Sequence, residues 1–508
     1  MANSRLISVE EISKHSTAED CWIVVDGKVW DLTEFAPEHP GGPQSETWTA
    51  PLFYTTGTVV LNHSPVILKH AGRDATTSYS GIHAPSVLPN NLDESKFIGE
   101  LDTSTITDEW VKPPPEATPQ FQLHEKPPLH TILNSRDFEE VASRTLDAKT
   151  WAFYSSAATD CVTRDANKSL FERLWFRPRL FRNVRDVSAK TRMLGREIGL
   201  PLFVSPAAMA KMVNPEGEKG IAKGCVDAGV PQCISTNASY PIEEIVPCAP
   251  KSHPFFFQLY VNKDRSKSET LLKHVRSLGV DAIFVTIDAP VPGKREADER
   301  VRADESLATP MSGAKATNDK KGGGLGRVMA SYIDPAFTWE DLPWLKRCWK
   351  GKIVVKGVQS AADARRCAEE GVDGIVLSNH GGRNLDTSPP TLMMLLECHR
   401  LCPEIFSKLE VYVDGGIRRG TDILKCLCLG ATAVGLGRPF LYALNYGQKG
   451  VEHCIDILRD ELETSMRLIG ITDLSQVRPG LVNTAAVDHL VDSTEDHPWI
   501  KWRPTARL

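Results

Sequence analysis

The chain has 508 residues, 41% of them hydrophobic and 24% charged, which excludes a disordered scaffold or a collagen-like chain and allows about three domains, or one large barrel with a smaller partner. Its 65 acidic and 59 basic side chains leave a formal charge of -6, so a broad nucleic-acid-binding surface is excluded as well. Twelve cysteines with no CxxC pair are too sparse for a disulfide framework and point to reduced intracellular thiols. No run of eighteen apolar residues occurs, so no membrane span is expected.

The first residues, MANSRLISVEEISKHS, lack an apolar signal core and carry Glu10 and Glu11; neither a secretory signal nor a mitochondrial presequence is expected. A strand-like run follows at Cys21–Val25, then the turn pair Asp26-Gly27 and a second run at Val29–Asp31. Beyond these stand Phe35-Ala36-Pro37-Glu38-His39-Pro40-Gly41-Gly42, then Ala71-Gly72-Arg73-Asp74-Ala75-Thr76, and Ile82-His83-Ala84-Pro85. These strings resemble a cytochrome b5-type haem domain. The resemblance implies haem b with His39 and His83 as its two axial ligands; imidazole on both faces suits electron transfer rather than oxygen chemistry. The spacing departs from that family: 44 positions separate His39 from His83, roughly twice the family's interval. The surplus falls at Pro43–Ser64, where Pro43 and Gly57 suit no continuous helix. It reads either as a looped-out insertion or as translated intron, and it brings His63 near as a competing ligand, with His70 just beyond it.

Residues 1–100 are therefore expected to form the haem module, with the insertion at 43–64. Residues 101–128, with Pro113, Pro114 and Pro115, read as a stiff linker. The remainder, 129–508, reads as a barrel with a C-terminal tail.

In that remainder eight short apolar runs alternate with helical patterns: Leu200–Pro206, Val230–Thr236, Pro254–Tyr260, Ala282–Asp288, Lys352–Gly357, Gly374–His380, Glu410–Gly416 and Ala433–Arg438. Continuous rather than alternating runs indicate strands covered on both faces. Eight such units without a dinucleotide fingerprint predict an α/β fold, a (β/α)8 barrel; a doubly wound sheet is the runner-up. Polar residues stand at the ends of the runs: Ser235, Gln258, Tyr260, Thr286, Asp288, Lys356, His380, Asp414 and Arg438. In a barrel these ends converge on one face, where chemistry is done. Within Ser378-Asn379-His380-Gly381-Gly382-Arg383, an imidazole can act as base near neutral pH and an arginine can grip a carboxylate. The strings Asp414-Gly415-Gly416-Ile417-Arg418 and Gly435-Leu436-Gly437-Arg438 follow the last two runs, where barrels commonly bind phosphate.

These motifs, with Gln258-Leu259-Tyr260, Val285-Thr286-Ile287-Asp288-Ala289-Pro290 and Ile353-Val354-Val355-Lys356-Gly357, closely resemble the FMN-dependent 2-hydroxy acid dehydrogenases and oxidases. The resemblance runs from about Leu129 to Gly470. It implies FMN and the oxidation of an L-2-hydroxy acid to the 2-oxo acid. His380 would be the base, Asp288 the partner of its imidazolium, Arg383 the carboxylate binder, Arg295 a further substrate-binding residue, and Tyr260 a hydrogen-bond partner of the reacting hydroxyl. Lys356 would stand by the N1–O2 edge of the flavin; Ser235, Gln258 and Thr286 would bond its ring, and amides near Ala207 and Ala208 would face N5. Asp414, Gly415, Gly416, Arg418, Gly437 and Arg438 would complete the cofactor site, with the arginines on the phosphate.

A haem module joined to this barrel resembles the flavocytochrome b2 layout, which implies electron flow from FMN to haem and on to a cytochrome c-like acceptor, in a homotetramer. A peroxide-forming oxidase with a non-functional haem module is the alternative, and a non-catalytic haem electron carrier is the third reading. Two departures bear on the substrate. Phe153-Tyr154 stands where the family has two tyrosines, which removes a hydroxyl from the carboxylate site, and Asn237 stands where an apolar residue lines the side-chain pocket. Both suit a substrate larger or more polar than lactate. Asp304–Arg327, polar and Gly-rich, resembles the mobile loop these enzymes carry over the site. The ending Ala506-Arg507-Leu508 fits a loose peroxisomal address.

Overall fold

The computed structural model describes residues 5–36, 65–68, 70–80, 83, 85, 87–107, 110 and 125–491. His39, the 43–64 surplus, the triple proline and the terminal Ala506-Arg507-Leu508 lie outside them. The chain divides into two compact units between Gln120 and Phe121.

In the first unit, Asp20–Val25 alternates strictly. Cys21, Ile23 and Val25 join one apolar cluster with Trp30, Leu32, Ala71 and Leu88, while Val24 joins another with Ile7, Ile12, Val29 and Trp110. A period of two with both faces covered makes this the centre of a mixed sheet. Its order is Leu6–Ile7, Phe97–Leu101, Lys28–Asp31, Asp20–Val25, Ser16–Thr17, with Arg73–Asp74 also pairing onto Asp20–Val25. Sheet and core run past the boundary expected at residue 100: Leu101 ends a strand, and the Trp110 indole N–H donates to Gly72 O at 3.0 Å.

The second unit is a closed barrel of eight parallel strands: β1 (Leu202–Val204), β2 (Gln232–Ser235), β3 (Phe255–Leu259), β4 (Ala282–Thr286), β5 (Lys352–Val358), β6 (Gly374–Leu377), β7 (Glu410–Asp414) and β8 (Ala433–Leu436). Each coincides with one of the expected runs, and the doubly wound alternative falls because β1 pairs with β8. The runs are continuously apolar because inner and outer faces are both buried. Within β4, Ile283 and Val285 pack outward under the helices and Phe284 packs inward. At the lower end, Phe203, Phe256, Phe284 and Tyr412 fill the barrel with ring centroids 5.5 to 6.1 Å apart. A hairpin, Thr191–Met193 and Arg196–Ile198, adds Met193, Leu194 and Ile198 to that plug.

Two further expectations meet the structure. The 304–327 stretch is less purely surface than its composition suggests, since Ala316 and Leu325 are buried in the main core. The C-terminal segment docks on its own unit as far as described: Val482–Asn483 pairs antiparallel with Trp175–Phe176.

Candidate active site

The barrel's inward positions change character over a single pleat. Phe203, Cys233, Phe256, Phe284, Val354, Val376 and Tyr412 face the lower core; two residues on, Ser205, Ser235, Gln258, Thr286, Lys356, Ser378 and Asp414 point the same way into the upper end. The upper end opens into a cavity bordered by the ends of the barrel strands and by residues of the loops that follow them, from Ser205 round to Arg438. Every residue expected above at the flavin or the substrate lines this cavity except Asp288, whose side chain is wholly buried behind His380.

The polar end residues bond to one another across the strands. The Ser235 hydroxyl donates to Gln258 Oε1 (3.2 Å), and Gln258 Nε2 donates to Thr286 Oγ1 (3.0 Å). Lys356 Nζ donates to Ser378 Oγ (3.0 Å) and lies 3.2 Å from Asp414 Oδ2. Burial opposes the charge of Lys356, but Asp414 and Asp288 more than offset it and hold the ammonium above its ordinary pKa.

His380, at φ 58°, places Nδ1 2.7 Å from Asp288 Oδ1 and Nε2 3.4 Å from the Tyr260 hydroxyl. Asp288 is seated by Gly357 (φ 105°), where any Cβ would come within 2.6 Å of the Asp288 Cβ. Burial would raise the Asp288 carboxyl, yet His380 and Lys356 hold it below its usual range. Burial likewise pushes the His380 imidazole down; Asp288 opposes this, while Lys356 and Arg295 reinforce it. The Tyr260 hydroxyl is pushed up to about 12 by burial and by Asp288. The result is a neutral, ionically backed imidazole at neutral pH, the state a general base requires.

Three arginines surround this pair. Arg383 Nη1 donates to the carbonyls of Phe153 (2.8 Å), Tyr154 (3.1 Å) and Ser156 (3.1 Å), with its guanidinium 5.2 Å from the Phe153 ring centroid. Arg438 donates to Tyr154 O, Ser156 O and Gly381 O. Arg295 Nε donates to Arg383 O (3.1 Å). Burial first, then Arg295 and Arg438, presses the Arg383 pKa well below its ordinary value, which marks a place built for an anion.

The residues present fit FMN. Ser205 Oγ and Asp414 Oδ1 line the cavity, buried and without a hydrogen-bond partner. A Cβ at Gly437 would meet only Ser205 Cβ at 3.8 Å, so bare backbone borders open space. Lys168, Arg418 and Arg438 gather near one end; burial and then Arg418 lower Lys168 to about 8, as expected where cations await a phosphate. For the haem module the described residues contain one of the two expected ligands. His83 follows the helix Thr76–Ser80, its N–H donating to Tyr79 O at 2.8 Å.

Several lining groups escaped the sequence reading. Ser205 ends its run as the other polar residues do and was detectable by that rule. Lys168 lies on the helix Val162–Glu172, far from any strand end, and only the fold brings it to the cavity. Tyr154 is also partly new: its hydroxyl donates to Ala208 O (2.8 Å) and Met209 O (2.7 Å), fixing the loop after β1. It therefore cannot supply the hydroxyl missing at Phe153. Asn237 is held in place, its Oδ1 accepting from the Tyr332 hydroxyl (3.1 Å) and its Nδ2 3.4 Å from Met329 O.

A (β/α)8 barrel with a base–carboxylate pair, an anion grip and a buried lysine beside an elongated cofactor cavity defines a flavin-dependent oxidoreductase of small hydroxy acids. The family profile described as FMN-dependent dehydrogenase matches residues 142–484, and that of the cytochrome b5-like heme/steroid binding domain matches residues 8–48. The chain belongs to the FMN-dependent dehydrogenase family and carries a cytochrome b5-like domain ahead of the barrel. It is 43% identical over 500 residues to the L-lactate dehydrogenase (cytochrome) of Saccharomyces cerevisiae, covering 96% of this chain and 81% of that one. Glycolate oxidase 3 of Oryza sativa is 38% identical over 358 residues, 69% of this chain and 95% of its own. Among solved structures, a mutant flavocytochrome b2 with pyruvate bound superposes with TM-score 0.65 at 44% identity, over 75% of this chain and 94% of that one. A mandelate oxidase with (S)-4-hydroxymandelic acid gives TM-score 0.65 at 33% identity, over 69% and 98%. Among the described residues no helix is long and apolar enough to cross a membrane.

Proposed function

We propose that this protein oxidises an L-2-hydroxy acid, lactate or a larger relative, to the 2-oxo acid, and passes the electrons through haem b to a cytochrome c-like acceptor. The observation that carries this is the shared cavity of His380, Tyr260, Arg383, Arg295 and Lys356, with Asp288 directly behind His380. Arg383 and Arg295 hold the substrate carboxylate. His380 Nε2, facing Tyr260, takes the proton from the reacting carbon or its hydroxyl, and Asp288 stabilises the imidazolium through Nδ1. Tyr260, kept protonated by its raised pKa, orients the hydroxyl.

FMN, when bound, supplies the two-electron acceptor. Ser235, Gln258 and Thr286 would bond its ring, Lys356 would place positive charge at the edge that gains electrons, and the loop of Ala207 and Ala208 would face N5. Arg418, Arg438 and the bare backbone of Gly415, Gly416 and Gly437 would hold the phosphate, with Asp414 fixing Lys356. His39 and His83 would ligate the haem iron. The family resemblance noted in the sequence extends the proposal to a homotetramer.

The relatives favour the acceptor assignment. The cytochrome-type dehydrogenase aligns over both units, whereas the glycolate oxidase aligns over a barrel-sized share. Visible spectra test it: on anaerobic addition of L-lactate, a haem band should appear in its reduced form. Flavin bleaching with peroxide release in air and no haem reduction would install the oxidase reading instead.

A further inference from the structure

The run Gly322-Gly323-Gly324-Leu325-Gly326 takes no part in a dinucleotide site; it lies flat on the segment Arg295–Val301. A Cβ would come within 2.2 Å of Glu299 O at Gly322, 2.4 Å of Val301 O at Gly323, 2.1 Å of Glu299 Oε1 at Gly324 and 2.4 Å of Arg295 Nη1 at Gly326. Four glycines thus let the two ends of the polar excursion 302–322 close on each other.

Lys149, on the helix Ala148–Ser155, sits where they meet. Its side chain is 8% exposed, and Nζ donates to Asp298 Oδ1 (2.5 Å), Asp298 O (2.7 Å), Gly323 O (2.8 Å) and Val301 O (3.0 Å). The other Asp298 oxygen accepts from Gly326 N–H at 3.1 Å, and the Asp298 side chain is 1% exposed. Arg295 stands three residues before Asp298 and feels its charge. Its guanidinium nevertheless turns elsewhere, to Arg383 O and toward Asn384 Oδ1, and borders the substrate cavity.

We propose that Lys149 is a positioning residue for Arg295: by satisfying the buried Asp298 carboxylate it leaves the Arg295 guanidinium free to face the cavity, and it ties Val301 to Gly323 at the two ends of the 302–322 excursion. A buried carboxylate stripped of its cation demands another, and Arg295, at the N-cap of the Glu296–Arg300 helix, is close by, since Gly326 borders both its guanidinium and the Asp298 carboxylate. Without Lys149, Arg295 turns toward Asp298 and its charge leaves the neighbourhood of His380. There it acts alongside Lys356, while Asp288 provides the opposing charge and Tyr260 the neutral hydroxyl. The inference rests on the dehydrogenase reading of this cavity.

Steady-state kinetics of the full-length holoenzyme with L-lactate test it across pH. Lys149→Met should raise KM about tenfold to a hundredfold, with a smaller change in kcat. It should also move the acid limb of kcat/KM to higher pH, because Arg295 no longer depresses His380. Lys149→Arg, which keeps the cation, should stay within a few-fold of wild type. The double variant Lys149→Met/Asp298→Asn should recover most of the KM and return the acid limb, since no stripped carboxylate remains to recruit Arg295. Wild-type KM and pH profile in Lys149→Met, or a double variant no better than the single, would overturn the proposal. If Lys149→Met does not accumulate folded, Asp298→Asn alone decides: an unchanged KM and acid limb support the proposal, and a displaced limb sinks it. A wild-type enzyme that fails to oxidise L-lactate or its homologues would refute the activity reading itself, a result separable from any difference among variants.

Discussion

The lower and upper ends of the barrel are built by the same eight strands and do opposite things. Below, Phe256, Phe284 and Tyr412 interlock with no titratable group among them except the Tyr412 hydroxyl, which is bonded to Glu410. Two residues further along each strand stand Gln258, Thr286 and Asp414, polar and aimed into the cavity. One pleat of about 7 Å separates the layer that holds the fold from the layer that does the chemistry. The lower layer is satisfied by packing. The upper layer contains buried atoms, such as Ser205 Oγ and Asp414 Oδ1, with no protein partner, a cost that a ligand site accepts and a core does not.

Substitutions at the two levels should separate cleanly. The largest effect belongs to the upper layer: His380→Ala should slow substrate-driven flavin reduction by about 10²–10⁴-fold while FMN stays bound, measured by stopped-flow absorbance. Because the His380 pKa is depressed, the wild-type enzyme should keep its kcat/KM below the usual imidazole range near 6.5, falling only once the base is protonated. Next comes the lower layer. Phe284→Ala should cost about 3–5 kcal/mol of stability, read by denaturant unfolding, and leave KM near wild type; a large change in KM would show the two layers to be coupled. The smallest effect is Phe153→Tyr, which should lower the KM for L-lactate by a few-fold by restoring one hydrogen bond to the carboxylate. No change would mean that Arg383, stacked on the ring, already meets that need.

The barrel's strands were legible because burial on both faces leaves an unbroken apolar run, and the site residues because strand ends converge. That rule located His380, Lys356 and Asp414 without any knowledge of pairing. It could not locate Lys168 or Lys149, which reach the cavity region from helices that precede the barrel. The neighbour of Lys168, Arg418, and the partner of Lys149, Asp298, lie 250 and 149 positions along the chain, and no local pattern encodes such contacts. The small unit was harder still. Cys21–Val25 is plain as a strand, but Leu6–Ile7 pairs in parallel with Phe97–Leu101, joining the two ends of the unit across more than ninety positions. Composition also misled at Asp304–Arg327, where Ala316 and Leu325 are core residues inside a polar stretch.

The hairpin of Thr191–Met193 and Arg196–Ile198 does more than fill the lower end. It makes the barrel a blind alley, so whatever is exchanged with the cavity must pass through the upper opening. On the proposed reading, a 2-oxo acid on its way out and the next 2-hydroxy acid on its way in would share one doorway and one carboxylate grip. Turnover would then be a matter of traffic: each product molecule still seated on Arg383 would bar the next substrate, and the enzyme's pace would answer to how readily that grip lets go.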